Sequence, residues 1–192
     1  MRAPRLADAA SRAVMQGVCV DDSDCGQPHI LEDSIAIRPL KDCPEHIEEI
    51  ARQLEIEWPE YYGEGFSNAR EEVRGYACAS VLPYGFVALN ENVACGFMAV
   101  RSDCLHSHSH LGPWVVCGLV RPQMRGSGIG ERLLQAIERH AWRHRIPALY
   151  AASATCHNLL LRARWYKMDE VAHFGERLGV YTKRLEVEST VQ

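Results

Sequence analysis

The chain has 192 residues and a mass of 21.6 kDa, with 47% hydrophobic and 24% charged residues, which fits one soluble globular domain whose core needs no disulfide or metal. A formal net charge of −4 and an isoelectric point near 6.1 argue against nucleic-acid binding through a generally basic surface. No apolar run reaches the roughly 18 residues of a membrane-spanning helix, so no membrane partner is expected.

Residues 1–33 read as an N-terminal extension. Ala7–Met15 suits a short helix, but Asp21-Asp22-Ser23-Asp24 and Gly26-Gln27-Pro28 break any regular pattern. Regular patterning begins at residue 34 and defines a domain over 34–188. Ser34–Leu40 alternates as a first strand. Ile47, Ile50, Ala51, Leu54 and Trp58 recur at helical spacing after Pro44. Pro59–Gly65 reads as a loop, and Asn68 with Glu71 forms a capping box for a second helix to about Ala79. Gly85–Asn90 and Val93–Val100 flank Glu91-Asn92 as a hairpin.

After the polar stretch Ser102–Gly112 comes Trp114–Val120, a nearly continuous apolar run that predicts a buried strand. Gly128–Arg143 carries Ile129, Leu133, Leu134, Ile137 and Ala141 on one helical face. A strand over Ala148–Ala152, a short helix over Cys156–Arg164, and strands near Val171–Phe174 and Val180–Val187 complete the chain. This order predicts an α/β (α+β) fold with one mixed sheet and helices on its faces. Cys19, Cys25, Cys43, Cys78, Cys95, Cys104, Cys117 and Cys156 show no C-x-x-C spacing, and several lie in apolar runs. A reduced, cytoplasmic protein is expected, with no apolar secretory leader after Met1.

The informative segment is Val120-Arg-Pro-Gln-Met-Arg125-Gly126-Ser127-Gly128-Ile129-Gly130, which joins the apolar strand to the long helix. Glycines permit positive φ and close backbone approach, so successive N–H groups can converge on an anion. The helix N-terminus adds about half a positive charge at the same point. The physical reading is a diphosphate cradle, although the spacing fits neither G-x-G-x-x-G nor a P-loop. A glycine-rich turn without a ligand is the plainer alternative.

Arg125-x-x-Gly128-x-Gly130, preceded by Val120-Arg-Pro122, resembles the acetyl-CoA-binding signature of the GCN5-related N-acetyltransferases (GNATs). The resemblance extends over about Ser34–Leu185 and implies a mostly antiparallel sheet of six or seven strands flanked by about four helices. It implies that backbone groups of Leu119 and Val120 meet the pantetheine arm of the coenzyme. Arg125, Gly126, Ser127, Gly128, Ile129 and Gly130 would hold the pyrophosphate. Gly118, in mid-strand, suits the bulge at which such sheets splay. Six arginines between residues 121 and 145 face only Glu131 and Glu138 in sequence, and Arg121 and Arg125 sit at the turn itself.

The resemblance places the acceptor near the first two helices. There residues 45–72 carry nine acidic groups against Arg52 and Arg70, interleaved with Trp58, Tyr61, Tyr62 and Phe66. Carboxylates and aromatic faces favour a cation, so Trp58, Glu60, Tyr61, Tyr62, Glu64 and Phe66 are candidate acceptor contacts. A merely acidic, solvated helix pair is the alternative. An ammonium has no lone pair, so a base must remove its proton. The family's glutamate on the fourth strand has no counterpart in Trp114–Val120. His106, His108 and His110 precede that strand, and His110, the nearest, is the candidate base, with Glu60 and Glu64 as others. No metal site is expected from these histidines.

The family pattern L-Y-x-x-x-G-F/W is also altered. Leu160 stands at the tyrosine's place and Arg164 at the glycine's, which leaves Tyr166 or solvent to protonate the thiolate. Direct transfer in a ternary complex is expected, with Cys117 or Cys156 as acyl carriers the less direct route. The resemblance implies an acetyl-CoA-dependent N-acetyltransferase acting on the primary amine of a cationic small molecule, in its sharpest form an aminoglycoside-type antibiotic. A protein or peptide N-acetyltransferase and a non-catalytic acyl-CoA-binding module are the rivals. A homodimer is left open.

Overall fold

The computed structural model describes residues 34–62, 67–78, 81–173 and 175–185; the helix expected over Ala7–Met15 lies outside them. The strands are β1 (Ile35–Pro39), β2 (Tyr84–Asn90), β3 (Val93–Arg101), β4 (Trp114–Val120), β5 (Ala148–Ser153), β6 (Tyr166–His173) and β7 (Glu176–Arg184). They form one sheet in the order β1-β2-β3-β4-β5-β7-β6, with only β4 and β5 parallel. The α-helices are α1 (Ile47–Glu57), α2 (Pro59–Tyr62), α3 (Ala69–Tyr76), α4 (Ile129–Arg143) and α5 (His157–Arg162).

Each face of the sheet carries its own core. On one face α1 and α3 pack Ile50, Leu54, Val73 and Tyr76 onto Phe97, Trp114 and Val116, with Tyr61 and Tyr62 of α2 in the same core. On the other, α4 sets Ile129, Leu133, Leu134 and Ile137 against Met98, Val115 and Leu149, with Leu160 of α5 beside them. Those four α4 side chains are essentially inaccessible, and burying each contributes about 1.5–3 kcal/mol. The β2–β3 hairpin turns at Glu91 and Asn92, with φ of 48° and 66°, the pair of positive angles that lets a two-residue turn follow the strands' twist.

Three expectations shift. Pro59–Tyr62 is a short helix rather than loop: Pro59 suits a first helical position, and the Trp58 carbonyl accepts from both Tyr61 and Tyr62 N–H at 3.1 Å. The second helix ends at Tyr76, where the Ala77 N–H turns back to Arg74. The last two strands begin earlier than their apolar residues suggest. The first half of β6 is exposed, so its extent is set by pairing with β7 rather than by alternation.

Candidate active site

The segment that feeds α4 is built for close approach by a ligand. Gly128 caps the helix with φ 76° and Gly126 has φ 82°; a β-carbon at either would meet nothing within 4 Å. Beside them lies a cavity of about 200 Å³, lined by Val120, Met124, Gly126, Gly128, Leu159 and Arg162 among others. Gly128, Ile129, Gly130 and Glu131 head the helix, so their N–H groups have no acceptor within it. Converging N–H groups, the helix dipole and open space beside two glycines suit a diphosphate.

Arg125 also lines that cavity, but neither it nor Arg121 is a free charge there. Arg125 donates from Nε to the Val120 carbonyl at 3.0 Å and from Nη2 to both Glu57 oxygens at 2.8 Å. Arg121 pairs with Glu49, which also accepts the Ala94 N–H at 3.1 Å. The acidic stretch of α1 and the basic stretch after β4 therefore neutralise one another in part, where the sequence suggested that each awaited a ligand of its own.

At the centre of the sheet β4 loses both of its neighbours' regularity. Its parallel pairing with β5 is limited to Trp114↔Tyr150 and Val115↔Ala151, which leaves Val116–Val120 unpaired on that edge among the described residues. Toward β3, Phe97 opposes Leu119 and Ala99 opposes Val116, so Cys117 and Gly118 form a bulge opposite one residue. The left-handed angle falls on Cys117 (φ 54°) rather than on Gly118. The result is a buried strand edge whose N–H and C=O groups can pair with an extended, amide-bearing ligand.

Beneath the bulge is a polar cluster that sequence reasoning missed. Glu72 of α3 accepts from Tyr62 and Tyr76 hydroxyls at 3.1 Å each, from Ser67 at 3.3 Å and from Arg101 at 3.4 Å; the Cys117 thiol lies 3.6 Å away. Burial raises the Tyr61 hydroxyl to about 12 and pushes Tyr62 and Cys117 well above their ordinary values, with the Glu72 charge adding to each. These groups stay protonated at neutral pH. Glu72 was legible only as one of nine acids, because its partners come from α2, β3 and β4.

The remaining candidates are dispersed. Trp58 caps α1 and is partly buried, Glu60 is exposed, and Tyr61 and Tyr62 are buried edge to face, their centroids 4.6 Å apart. Glu64 and Phe66 lie outside the described residues. Glu48 pairs with Arg70 and Glu72 with Arg101, leaving Glu55, Glu60 and Glu71 exposed and without an ion pair among the described residues. His110 is exposed four residues before β4, stacked on His108 at 6.0 Å; His108 Nε2 meets Asp169 at 3.1 Å. Leu160 is fully buried in the α4-side core. Tyr166 is 67% exposed on β6, at the sheet's edge and three strands from β4, so the structure does not bring it to the bulge.

Comparison with known proteins follows this geometry. The acetyltransferase (GNAT) domain family matches residues 83–179, just over half of the chain. No curated protein sequence matches. An aminoglycoside 6'-N-acetyltransferase complexed with coenzyme A has a similar structure, with TM-score 0.66 and 13% identity over 80% of this chain and 98% of that one. The aminoglycoside 6'-N-acetyltransferase from Enterococcus faecium gives 0.64 and 13% over 80% and 98%. A Salmonella typhimurium protein solved with its cofactor acetyl-CoA gives 0.63 and 16% over 82% and 97%.

Proposed function

The chain belongs to the GNAT acetyltransferases, with acetyl-CoA as cofactor, and from that premise we propose that it acetylates a primary amine on a cationic small molecule. One observation supports the cofactor's position: the cavity beside the glycine turn at the head of α4 is also lined by Val120, the last residue of the β4 segment that does not pair with β5. Gly126, Ser127, Gly128, Ile129 and Gly130 hold the pyrophosphate through backbone N–H groups. Leu119 and Val120 pair with the pantetheine amides. Bound there, acetyl-CoA supplies an activated acyl group. The bulge at Cys117 and Gly118 would offer backbone N–H groups to the acyl carbonyl of the bound coenzyme.

Glu72, already accepting from several donors, holds the bulge from below. His110, exposed to solvent, would take the ammonium proton of the amine, and water would serve as the proton donor to the coenzyme's sulfur, a thiol of pKa about 8.5. The exposed Glu60, with Glu64, supplies the negative charge that draws a cation to the acceptor side. The aminoglycoside acetyltransferases among the structural neighbours make that substrate class the sharpest version of the proposal.

The functional unit is residues 34–188, with residues 1–33 an extension. Its setting is the cytoplasm, in keeping with free thiols at Cys43, Cys78, Cys95, Cys104, Cys117 and Cys156 and with no membrane-length apolar helix among the described residues. A homodimer is left open, and light scattering at two concentrations tests it. The function is tested by thiol release from acetyl-CoA over aminoglycosides, polyamines and peptides, with Gly128→Glu beside wild type. Release with a cationic small amine by wild type alone supports the proposal. Release with peptides only supports the protein-acetylating rival, and equal release by both proteins removes the cofactor site.

A further inference from the structure

The arginine of the glycine turn is bound at both ends before any ligand arrives. Its Nε holds the carbonyl of Val120, the last residue of β4, and its Nη2 holds both oxygens of Glu57, the last residue of α1. Arg125 and Glu57 are each only 23% exposed, and Arg121 with Glu49 makes a second tie from the same turn to the same helix. To touch a phosphate, Arg125 would have to leave a doubly hydrogen-bonded carboxylate, and Glu57 would then be left partly buried beside an anion. Backbone N–H groups at Gly128 and beyond need no such exchange.

Resting on the cofactor assignment above, we propose that Glu57 is a positioning residue for coenzyme binding, acting through Arg125. The pair braces the start of the turn between α1 and β4, so that the glycine N–H groups are preorganised for the diphosphate. Arg125 is thus a strut rather than a phosphate ligand. A planar guanidinium suits this task because Nη2 can meet both carboxylate oxygens while Nε, in the same plane, donates to a carbonyl.

The two roles predict opposite signs. If Arg125 were a phosphate ligand held back by Glu57, Glu57→Gln would free it and tighten coenzyme A. As a strut, it loses its anchor and coenzyme A weakens. Titration calorimetry with coenzyme A on the full chain measures this directly. About a tenfold weaker affinity is expected for Glu57→Gln and for Arg125→Gln, and no further loss in the double variant, because both changes remove one device. Glu55→Gln removes the same charge from an exposed position two residues away and should change affinity less than twofold.

Urea unfolding without ligand reads the strut separately, as non-additive stability losses of the two single variants. Tighter or unchanged binding by Glu57→Gln, or additive losses in both measurements, overturns the proposal. No coenzyme A binding by wild type, with the urea coupling intact, overturns the cofactor reading instead and leaves a purely structural tie.

Discussion

The two sides of β4 meet their polar demands by different means. On the α4 side the turn offers backbone N–H groups and open space, and its arginines are occupied elsewhere. On the α1–α3 side nearly every buried polar group is already satisfied: Glu72 serves Tyr62, Tyr76, Ser67 and Arg101, and Glu49 serves Arg121 and Ala94. Main-chain donors suit any member of a ligand class that carries a diphosphate. A side-chain network fixes one packing arrangement, and substrate choice is then left to what remains exposed around it.

Gly128→Glu should break the first side most severely. It forces a left-handed angle on a residue with a β-carbon and sets a carboxylate against the anion, so coenzyme A binding should fall at least about a hundredfold. Calorimetry checks this, and urea unfolding should show a loss of only about 1–2 kcal/mol. Glu72→Leu should do the reverse. It takes the acceptor from two tyrosine hydroxyls and the carboxylate partner from Arg101, which keeps the Asp103 carbonyl, and this should lower stability by about 3 kcal/mol. Coenzyme A affinity of the folded protein should change less than twofold; a loss matching that of Gly128→Glu would erase the distinction between the sides.

His110→Ala should lower kcat about tenfold near neutral pH, less than a buried base contributes because water competes. The deficit should shrink at alkaline pH, where the amine loses its proton unaided; a flat deficit would assign His110 a structural role.

The smallest effect lies away from both sides. His140 packs on Tyr84 at 4.2 Å and His144 at 4.4 Å, and its Nε2 has no hydrogen-bond partner among the described residues. Burial, with the His144 charge, lowers its pKa from 6.5 to about 4. The unfolded chain therefore binds the proton more readily, so this contribution is whole above pH 6.5 and fades as the pH falls toward 4. The Tm of His140→Gln should decline less than that of wild type across that window. Parallel curves would show the ring to be free to ionise in place.

What the sequence disclosed follows the same division. Strands with apolar runs, the α4 stripe and the glycine turn are local signals, so Trp114–Val120 and the start of α4 could be read directly. The Asn68 cap was legible for the same reason, and its Oδ1 accepts the Glu71 N–H at 3.1 Å. The Glu72 cluster was hidden because Cys117 stands 45 positions and Arg101 29 positions from it. The pairing of Glu49 and Glu57 with Arg121 and Arg125 was hidden likewise, and it changed what the segmental charges meant. Tyr166 looked near the reaction only along the chain; the sheet order sends it to the far edge.

The parting of β4 from β5 means that this sheet is two blades hinged at a pair of residue contacts. A molecule lying in that gap acts as a surrogate strand, completing secondary structure that the polypeptide leaves unfinished. Occupancy at a hundred times Kd adds about 2.7 kcal/mol to the folded state. Amide hydrogens of Val116–Val120 should then exchange more slowly, because the two blades have become one.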